Sequence, residues 1–327
     1  MRSSRWNSAV VGVVVVAVSA GCTGSISSIE PRSAAALVHQ GSHAGLRNQA
    51  ECPPRLEPAA QQAVRHSKIY VSDAVENVVL IYPTNRLNPS PIGRIVKGMK
   101  GPSGIALDHE GDLFVAQSNG GYVAEYEPGQ KTPSRIIRHG ITIPLDVAFD
   151  SKDTLYVSNH FTSNGTNAFV PGSVSAYRKN ESVPFATITQ PLLAPDGVAV
   201  DRADNLYIAD YYLSQVLFDP QGTGVPRPLT LPNLGVPDGI AFDSGGHLTE
   251  SNYNGYVNRY NPTSSVVIRS LRGFNVPDYL AFDEDGEMYV PNSTGPGNVE
   301  VFRRGECAPY NIIKKGLVSP GGVAVHE

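Results

Sequence analysis

Cysteine, tryptophan and excess basic charge are all scarce in this sequence. Its 327 residues include three Cys and one Trp, and 26 Lys and Arg side chains stand against 30 Asp and Glu, for a net charge of -4. This balance excludes the broad basic surface that nucleic-acid binding requires, so we expect no nucleic-acid partner. The longest apolar run, residues 9–18, is too short to span a bilayer.

The motifs of several enzyme classes are also absent. The sequence contains no G-x-S-x-G, no G-x-x-x-x-G-K-[ST], no G-x-G-x-x-G and no H-E-x-x-H. Serine hydrolase, nucleotide hydrolase, dehydrogenase and zinc protease chemistry therefore have no support.

The first residues have the layout of an export signal. Arg2 and Arg5 precede the apolar run, and small residues follow it up to Cys22. This pattern predicts a signal peptide over residues 1–21, with a lipid on Cys22 as in bacterial lipoproteins. The alternative is ordinary cleavage, which releases a soluble protein beginning at Gly21. Both interpretations place the protein in the bacterial periplasm or at the cell surface, with membrane contact only through a lipid anchor.

The other two cysteines form an even pair if Cys22 carries lipid. In an oxidising compartment this predicts a disulfide between Cys52 and Cys307, the alternative being two unrelated buried thiols. Residues 22–67 are rich in Ser, Ala, Gln and Pro with little periodicity. We expect this segment to be a tether that is poorly ordered in part.

A repeat of 40 to 51 residues organises the rest of the chain. Each of six copies opens with a proline and a short apolar run, as in P-D-G-V-A-V-D. The six prolines are Pro102, Pro144, Pro195, Pro237, Pro277 and Pro320. Second, third and fourth short apolar runs follow in each complete copy, and 32 Gly and 26 Pro mark frequent turns.

Four short strands per repeat predict an all-β fold, a six-bladed β-propeller over residues 68–327. The last copy, from Pro320, has only a first strand, and residues 69–97 contain the three runs that it is missing. We therefore expect the C-terminal strand to pair with the N-terminal strands and close the ring. This closure pairs the strands at the two chain ends, and we expect a monomer.

The motifs P-x-G-[IV]-A-x-D and L-Y-V-[AS]-[ND] resemble those of NHL-repeat and gluconolactonase-like propellers, the group that includes senescence marker protein and luciferin-regenerating enzyme. The resemblance implies a divalent metal at one mouth of the central channel, where it polarises a lactone carbonyl. In that family a Glu from the first blade, in an E-x-P motif, also binds the metal. Pro320-Gly321-Gly322 stands at this place without a Glu.

Two sets of Asp follow from the repeat. One set ends the first strand and begins a turn, where carboxylates bond nearby N–H groups, and we interpret it as scaffold: Asp108, Asp150, Asp201, Asp243 and Asp283. The other set lies at the start of the first strand and aims at one mouth of the channel: Asp146, Asp196, Asp238 and Asp278. Such hard oxygen ligands suit Ca²⁺ or another divalent cation. The alternative is that each carboxylate bonds the backbone of a neighbouring blade.

The loops after the second strands should share that face. They supply the ligand-binding candidates Asn159, His160, Asp210, Tyr211, Tyr212 and Tyr253, although Asn159 and Asp210 also fit turn caps. An insertion over residues 160–172 lengthens one copy at the same face, which indicates either a working face or simple drift in the length of the repeat. Glu250 stands where other copies have Val or Ile. It is either desolvated with a raised pKa or turned to water by a bulge, and we favour the bulge.

These observations predict an exported, lipid-anchored binding module. Its partner would be a small molecule, glycan or protein over the Asp-lined mouth. The alternative is a divalent-metal-dependent lactonase or lyase of the gluconolactonase-like type.

Overall fold

The structure, a computed structural model, describes residues 67–163, 169–222 and 224–326. These residues contain no α-helix and form six four-stranded antiparallel sheets. No helix in this part of the chain is long and apolar enough to cross a membrane. The predicted signal peptide, the tether, Cys22 and Cys52 lie outside the described residues.

The strands are numbered in chain order, and each sheet is given from its inner to its outer strand. Blade 1 contains β26 (Pro320–His326), β1 (Lys68–Asp73), β2 (Val78–Pro83) and β3 (Gly93–Ile95). Blade 2 contains β4 (Pro102–Leu107), β5 (Leu113–Gln117), β6 (Tyr122–Tyr126) and β7 (Arg135–Ile137). Blade 3 contains β8 (Pro144–Phe149), β9 (Leu155–Asn159), β12 (Ser173–Tyr177) and β13 (Ala186–Ile188).

The remaining blades follow the same order. Blade 4 contains β14 (Pro195–Val200), β15 (Leu206–Asp210), β16 (Gln215–Asp219) and β17 (Arg227–Pro228), with a short 3-10 turn at Pro220–Gly222. Blade 5 contains β18 (Pro237–Phe242), β19 (Leu248–Asn252), β20 (Tyr256–Asn261) and β21 (Val266–Arg272). Blade 6 contains β22 (Ala281–Phe282), β23 (Met288–Asn292), β24 (Asn298–Phe302) and β25 (Asn311–Ile313). The insertion in blade 3 adds a hairpin of β10 (Thr162–Ser163) and β11 (Phe169–Val170).

The ring closes through the two ends of the chain. β26 pairs antiparallel with β1, with Ile69 opposite Val325 and Tyr70 opposite Ala324. The last strand thus completes the blade that the first three strands begin, and the predicted six-bladed propeller is confirmed. This pairing leaves neither chain end as a free inner sheet edge.

The core lies between blades rather than at one centre. Side chains alternate along each strand, so one face of a blade packs on the preceding blade and the other on the following blade. The cluster between blades 1 and 2, for example, joins Tyr70 and Val79 to Ile105 and Val115. Each blade therefore depends on both of its neighbours, which fixes the ring as a unit.

The propeller has two faces, which we define by its inner strands. They begin at the top face and end at the bottom face. At the bottom face the turn carboxylates act as scaffold, as predicted: Asp201, for instance, accepts N–H bonds from Ala203 and Asn205. The loops after the second strands return to the top face, where the candidate site lies.

Candidate ligand-binding site at the top face

A bulge at the start of the inner strands sets the geometry of the top face. In blade 4, for example, the pairing register shifts between Pro195 and Val198. We call the residue after the proline the second position and the next residue the third position. A serine of the neighbouring strand fixes them: Ser251 Oγ accepts a bond from Gly239 N and donates to Asp278 O of the next blade.

Asp146 occupies the third position rather than the second. Asp146 N donates to Ser158 Oγ, as Gly239 N does to Ser251 Oγ. Its carboxylate accepts bonds from Val147 N at 2.9 Å and from Val198 N of the next blade at 3.0 Å. Burial raises the pKa of Asp146 to about 7 although these bonds favour the ionised form. Asp146 therefore follows the structural alternative and links blades 3 and 4.

Three consecutive blades carry carboxylates at the second position: Asp196, Asp238 and Asp278. Asp196 is 6% exposed and Asp238 is 9% exposed, and neither forms an ion pair with a Lys or Arg of the described residues. Burial raises the pKa of Asp238 to about 7. Burial, and then the charges of Asp238 and its neighbours, raise the pKa of Asp196 well above its usual range. The three acids form one electrostatic group.

Asp196 has an incomplete environment. Its Oδ1 atom is buried without a hydrogen-bond partner in the described part of the chain. The cationic candidate beside it is His160, whose Nε2 atom lies 3.3 Å from this same Oδ1 atom but forms no hydrogen bond with it. Burial lowers the pKa of His160 to about 4, so this imidazole is neutral near pH 7 and does not neutralise the acids.

Tyr279 is a site residue that the sequence did not reveal. It stands at the third position, where four other blades have Gly104, Gly197, Gly239 and Gly322, and its N donates to Gly321 O. Burial and then the nearby charges of Asp196, Asp278, Asp238 and Asp146 raise the pKa of the Tyr279 phenol well above its usual range. The sequence does contain a signal for it. P-D-Y-L departs from the P-D-G pattern of other copies, and a large side chain at a glycine position next to the Asp set is a candidate site residue.

Aromatic side chains surround the approach to the acids. The ring centroids of His160 and Phe161 are 4.2 Å apart, and Phe161 stacks on Phe169 of the inserted hairpin with a centroid distance of 4.5 Å. Tyr211 and Tyr253 meet edge to face with their ring centroids 6.0 Å apart. Burial, then the neighbouring Tyr253 and the charges of Asp196 and Asp238, raise the pKa of Tyr211. The insertion does lie at this face, as expected.

Two of the predicted ligand contacts are committed to the backbone. Asn159 Oδ1 accepts a hydrogen bond from Thr142 N at 3.0 Å, which ties the end of β9 to the loop before β8. Asp210 accepts bonds from Leu193 N at 2.7 Å and Leu213 N at 3.0 Å. Of the other four, His160 and Tyr211 lie beside the acids. Tyr253 contacts Tyr211, and the exposed Tyr212 packs on the rings of the insertion.

The acids do not form a ready three-ligand metal centre. Among the described residues, only one group brings three His, Cys or carboxylate ligand atoms within 4.8 Å of one another. It consists of Asp108, Glu110 and Asp112 in a bottom-face turn. The chemistry of Asp196 and Asp238 fits a hard cation, but their spacing with Asp146 and Asp278 does not give three close ligands. We derive no metal-dependent reaction step from them.

The preference for a bulge at Glu250 is wrong. Glu250 lies in regular register opposite Asn258 and is 0% exposed. Its Oε2 atom accepts a bond from Asn258 Nδ2 at 3.0 Å, whereas its Oε1 atom has no partner in the described residues. Burial raises the pKa of Glu250 to about 8. Glu250 is therefore buried and desolvated, which was the alternative to a bulge.

Comparisons with known proteins address the fold. No protein-family model matches the chain, and no curated protein matches it. Among solved structures, a chain of a nidogen/laminin complex aligns with a TM-score of 0.64 and 16% identity, covering 79% of this chain and 98% of that chain. A protein of unknown function from Bacteroides caccae aligns with a TM-score of 0.61 and 10% identity, covering 80% and 99%. The chain is a six-bladed β-propeller. At these identities the likeness concerns the fold alone, and it does not single out NHL-repeat or gluconolactonase-like propellers.

Proposed function

We propose that this propeller is an exported binding module that receives a positively charged group at its top face. The carrying observation is the buried Asp196 carboxyl, whose Oδ1 atom has no hydrogen-bond partner among the described residues and lies near other acids. Like charges in a low-dielectric site repel unless protons or a cation neutralise them. A ligand cation would relieve this repulsion and give Asp196 its missing partner.

The surrounding side chains favour a small molecule as the bearer of that charge. Tyr211 and Tyr253 offer ring faces to a cation, and a neutral His160 offers one hydrogen bond. The shared chemistry is a positive charge, which an organic ammonium group or a divalent ion such as Ca²⁺ could supply. A glycan or a protein would have to present such a group to use the same acids.

Thermal unfolding of the chelator-treated protein tests the proposal. Choline, putrescine, Ca²⁺, Mg²⁺ and Mn²⁺ are each added, and at least one should raise Tm, because a ligand that binds only the native state stabilises it. Asp196→Asn should abolish the rise. Asp201→Asn, at the bottom end of the same strand, should lower Tm by removing turn bonds but keep the rise.

The arms of this experiment separate an ammonium ligand from a metal ion. A wild-type Tm that no probe changes would overturn the proposal, as would a rise that persists in Asp196→Asn. Binding should also weaken as pH falls below about 7, since protonation of Asp238, with its pKa near 7, competes with the cation. One displaced proton corresponds to a loss of up to about tenfold in affinity per pH unit.

The resemblance to gluconolactonase-like propellers keeps an enzymatic alternative, a metal-dependent lactonase or lyase. A divalent ion that survives purification together with lactone turnover would select it. The absent first-blade Glu and the spacing of the acids favour the binding module instead.

Export and anchoring are part of the proposal and rest on the leader. Mass spectrometry of the mature protein should find a lipid on Cys22, whereas an unmodified chain beginning at Gly21 would contradict the anchor. The bridge between Cys52 and Cys307 stays a prediction. Counting free thiols in the unreduced protein tests it, and two reactive thiols would contradict the bridge.

A further inference from the structure

A second cavity lies between blades 5 and 6 at the bottom face, away from the acids of the top face. It is an open cleft, and its volume of about 480 Å³ includes the solvent at the mouth. Apolar side chains of both blades form most of its wall: Val257, Leu271, Phe282, Met288 and Phe302. Thr249 adds a hydroxyl to the lining. The charged lining residues are four arginines and two acids: Arg259, Arg269, Arg303, Arg304, Asp243 and Glu306.

The two arginines face each other across neighbouring strands. Arg259 of β20 lies directly opposite Arg269 of β21. In blade 2 the same places hold Glu125 and Arg135, which form an ion pair. Like charges opposite each other destabilise a strand pair, so blade 5 has replaced a favourable pair by an unfavourable one.

The charges in the cavity do not balance within the described residues. Arg259 Nη2 pairs with Asp243 Oδ2 and lies 2.9 Å from His247 Nδ1. Arg269 forms no ion pair there: its Nη1 donates to the backbone oxygen of Glu306 at 3.0 Å, while the Glu306 carboxylate lies 3.9 Å from Arg303 Nη1. Burial and then the charge of Arg259 lower the pKa of Arg269. One guanidinium is therefore left half-buried without a counter-charge.

Two buried polar atoms of the cavity also lack partners. Thr249 is 1% exposed, and its Oγ1 atom has no hydrogen bond within the described residues. Arg259 Nε is buried and likewise unpartnered there. Buried polar groups are normally satisfied by protein, water or a ligand. A hydroxyl and a guanidinium donor beside an unbalanced positive charge are the groups that a carboxylate would accept from.

We propose that this pocket binds a small amphipathic anion, a monocarboxylate with an aliphatic or aromatic body. The carboxylate would lie between Arg269, Arg259 Nε and Thr249 Oγ1, and the apolar body would contact Phe282, Met288 and Phe302. The apolar side chains of the pocket favour a ligand with such a body over an inorganic anion, because an inorganic anion would leave these side chains without an apolar contact. This site is independent of the function proposed for the top face.

Methionine methyl NMR tests the site directly. The chain has three Met, and of the two outside the predicted leader, Met288 lines the pocket whereas Met99 packs between blades 1 and 2. In protein labelled with ¹³C-methyl Met, hexanoate and benzoate should shift the Met288 signal saturably at low salt. The Met99 signal should stay in place. Hexanol, benzyl alcohol and inorganic phosphate should shift Met288 at least tenfold less at equal concentration.

Variants then assign the charge. Arg269→Gln should weaken hexanoate binding at least tenfold, and the matched control Arg227→Gln, at the equivalent place in blade 4, should leave it unchanged. Thr249→Val should weaken it by a smaller factor. An unshifted Met288 signal, equal response to hexanol, or unchanged binding in a folded Arg269→Gln protein would each overturn the proposal. If Arg269→Gln does not fold, the comparison of hexanoate with hexanol in the wild type still decides.

Discussion

Blades 2 and 5 lie opposite each other in the ring and use the same backbone register for different chemistry. In blade 2, Glu125 pairs with Arg135, and Tyr126 donates its hydroxyl hydrogen to Lys97 O at 2.6 Å. In blade 5, the equivalent Arg259 faces Arg269, and the Tyr260 hydroxyl is buried without a partner among the described residues.

The two blades differ again in their second and third strands. Val115 lies opposite Ala124 in blade 2, whereas the corresponding pair in blade 5 is Glu250 and Asn258. Blade 2 thus satisfies its polar groups and fills its core with apolar side chains. Blade 5 keeps buried polar atoms that the scaffold does not need. In a repeat protein whose backbone is common to all blades, such unmatched groups indicate where one blade has a task of its own.

The largest expected contrast comes from the two charge positions. Arg135→Gln should lower the free energy of unfolding by about 2–3 kcal/mol, because Glu125 would remain largely buried without its partner. Arg269→Gln should change it by no more than about 0.5 kcal/mol or raise it slightly, since it removes a repulsion. Urea unfolding of both variants measures the difference. Equal losses in the two blades would show that Arg269 has a carboxylate partner after all, or that its bond to Glu306 O outweighs the repulsion.

The buried Glu250 makes blade 5 sensitive to pH. Its pKa of about 8 exceeds the ordinary value of 4.5, so its contribution to stability is present below pH 4.5 and is lost as pH rises through 8. Glu250→Gln should therefore lie close to the wild type below pH 5 and be more stable by up to about 5 kcal/mol at pH 9, since each unit of the pKa shift corresponds to about 1.4 kcal/mol. Urea unfolding at both pH values tests this. Val115→Gln in blade 2, which inserts a polar group into an apolar place, should instead destabilise at both. A Glu250→Gln advantage that is independent of pH would contradict the desolvation argument.

The smallest contrast concerns the two tyrosine hydroxyls. Tyr126→Phe should cost about 1 kcal/mol, since it removes the bond to Lys97 O. Tyr260→Phe should cost nothing or stabilise slightly, because it removes a buried hydroxyl that has no partner in the described residues. Thermal unfolding of the pair is sufficient. A loss in Tyr260→Phe as large as in Tyr126→Phe would mean that the Tyr260 hydroxyl is satisfied, either by the neighbouring Glu250 or Asn258 or by a bound water.

Sequence periodicity alone was enough to predict the ring and the scaffold turns. The six proline-led copies predict the blades, and the incomplete last copy predicts its pairing with β1, because a strand without partners must find them at the other end. The bottom-face Asp residues were predictable for a local reason. Asp201 bonds N–H groups two and four residues along the chain, which a motif can record.

Positions that depend on a one-residue register were beyond the sequence. P-L-D-V and P-D-G-V both place an Asp near the proline. Within the bulge, however, Asp146 stands one residue later than Asp196 does, so their side chains have different surroundings, and only Asp196 keeps an unpartnered oxygen. Glu250 was misjudged because a motif does not record whether its strand bulges. Periodicity shows that a side chain alternates, whereas its environment is set by the blade opposite it.

The sequence by itself determined the architecture, since each copy of the repeat has the strand and turn residues that make one blade. Only the tertiary structure decided which charges meet. Arg259 and Arg269 become neighbours through strand pairing, and the apolar wall beside them comes from Phe282 and Phe302 of another blade. The physical reason is the range of the interactions: turns and strand propensity act within a few residues, whereas burial and electrostatics act between side chains brought together by the closed ring.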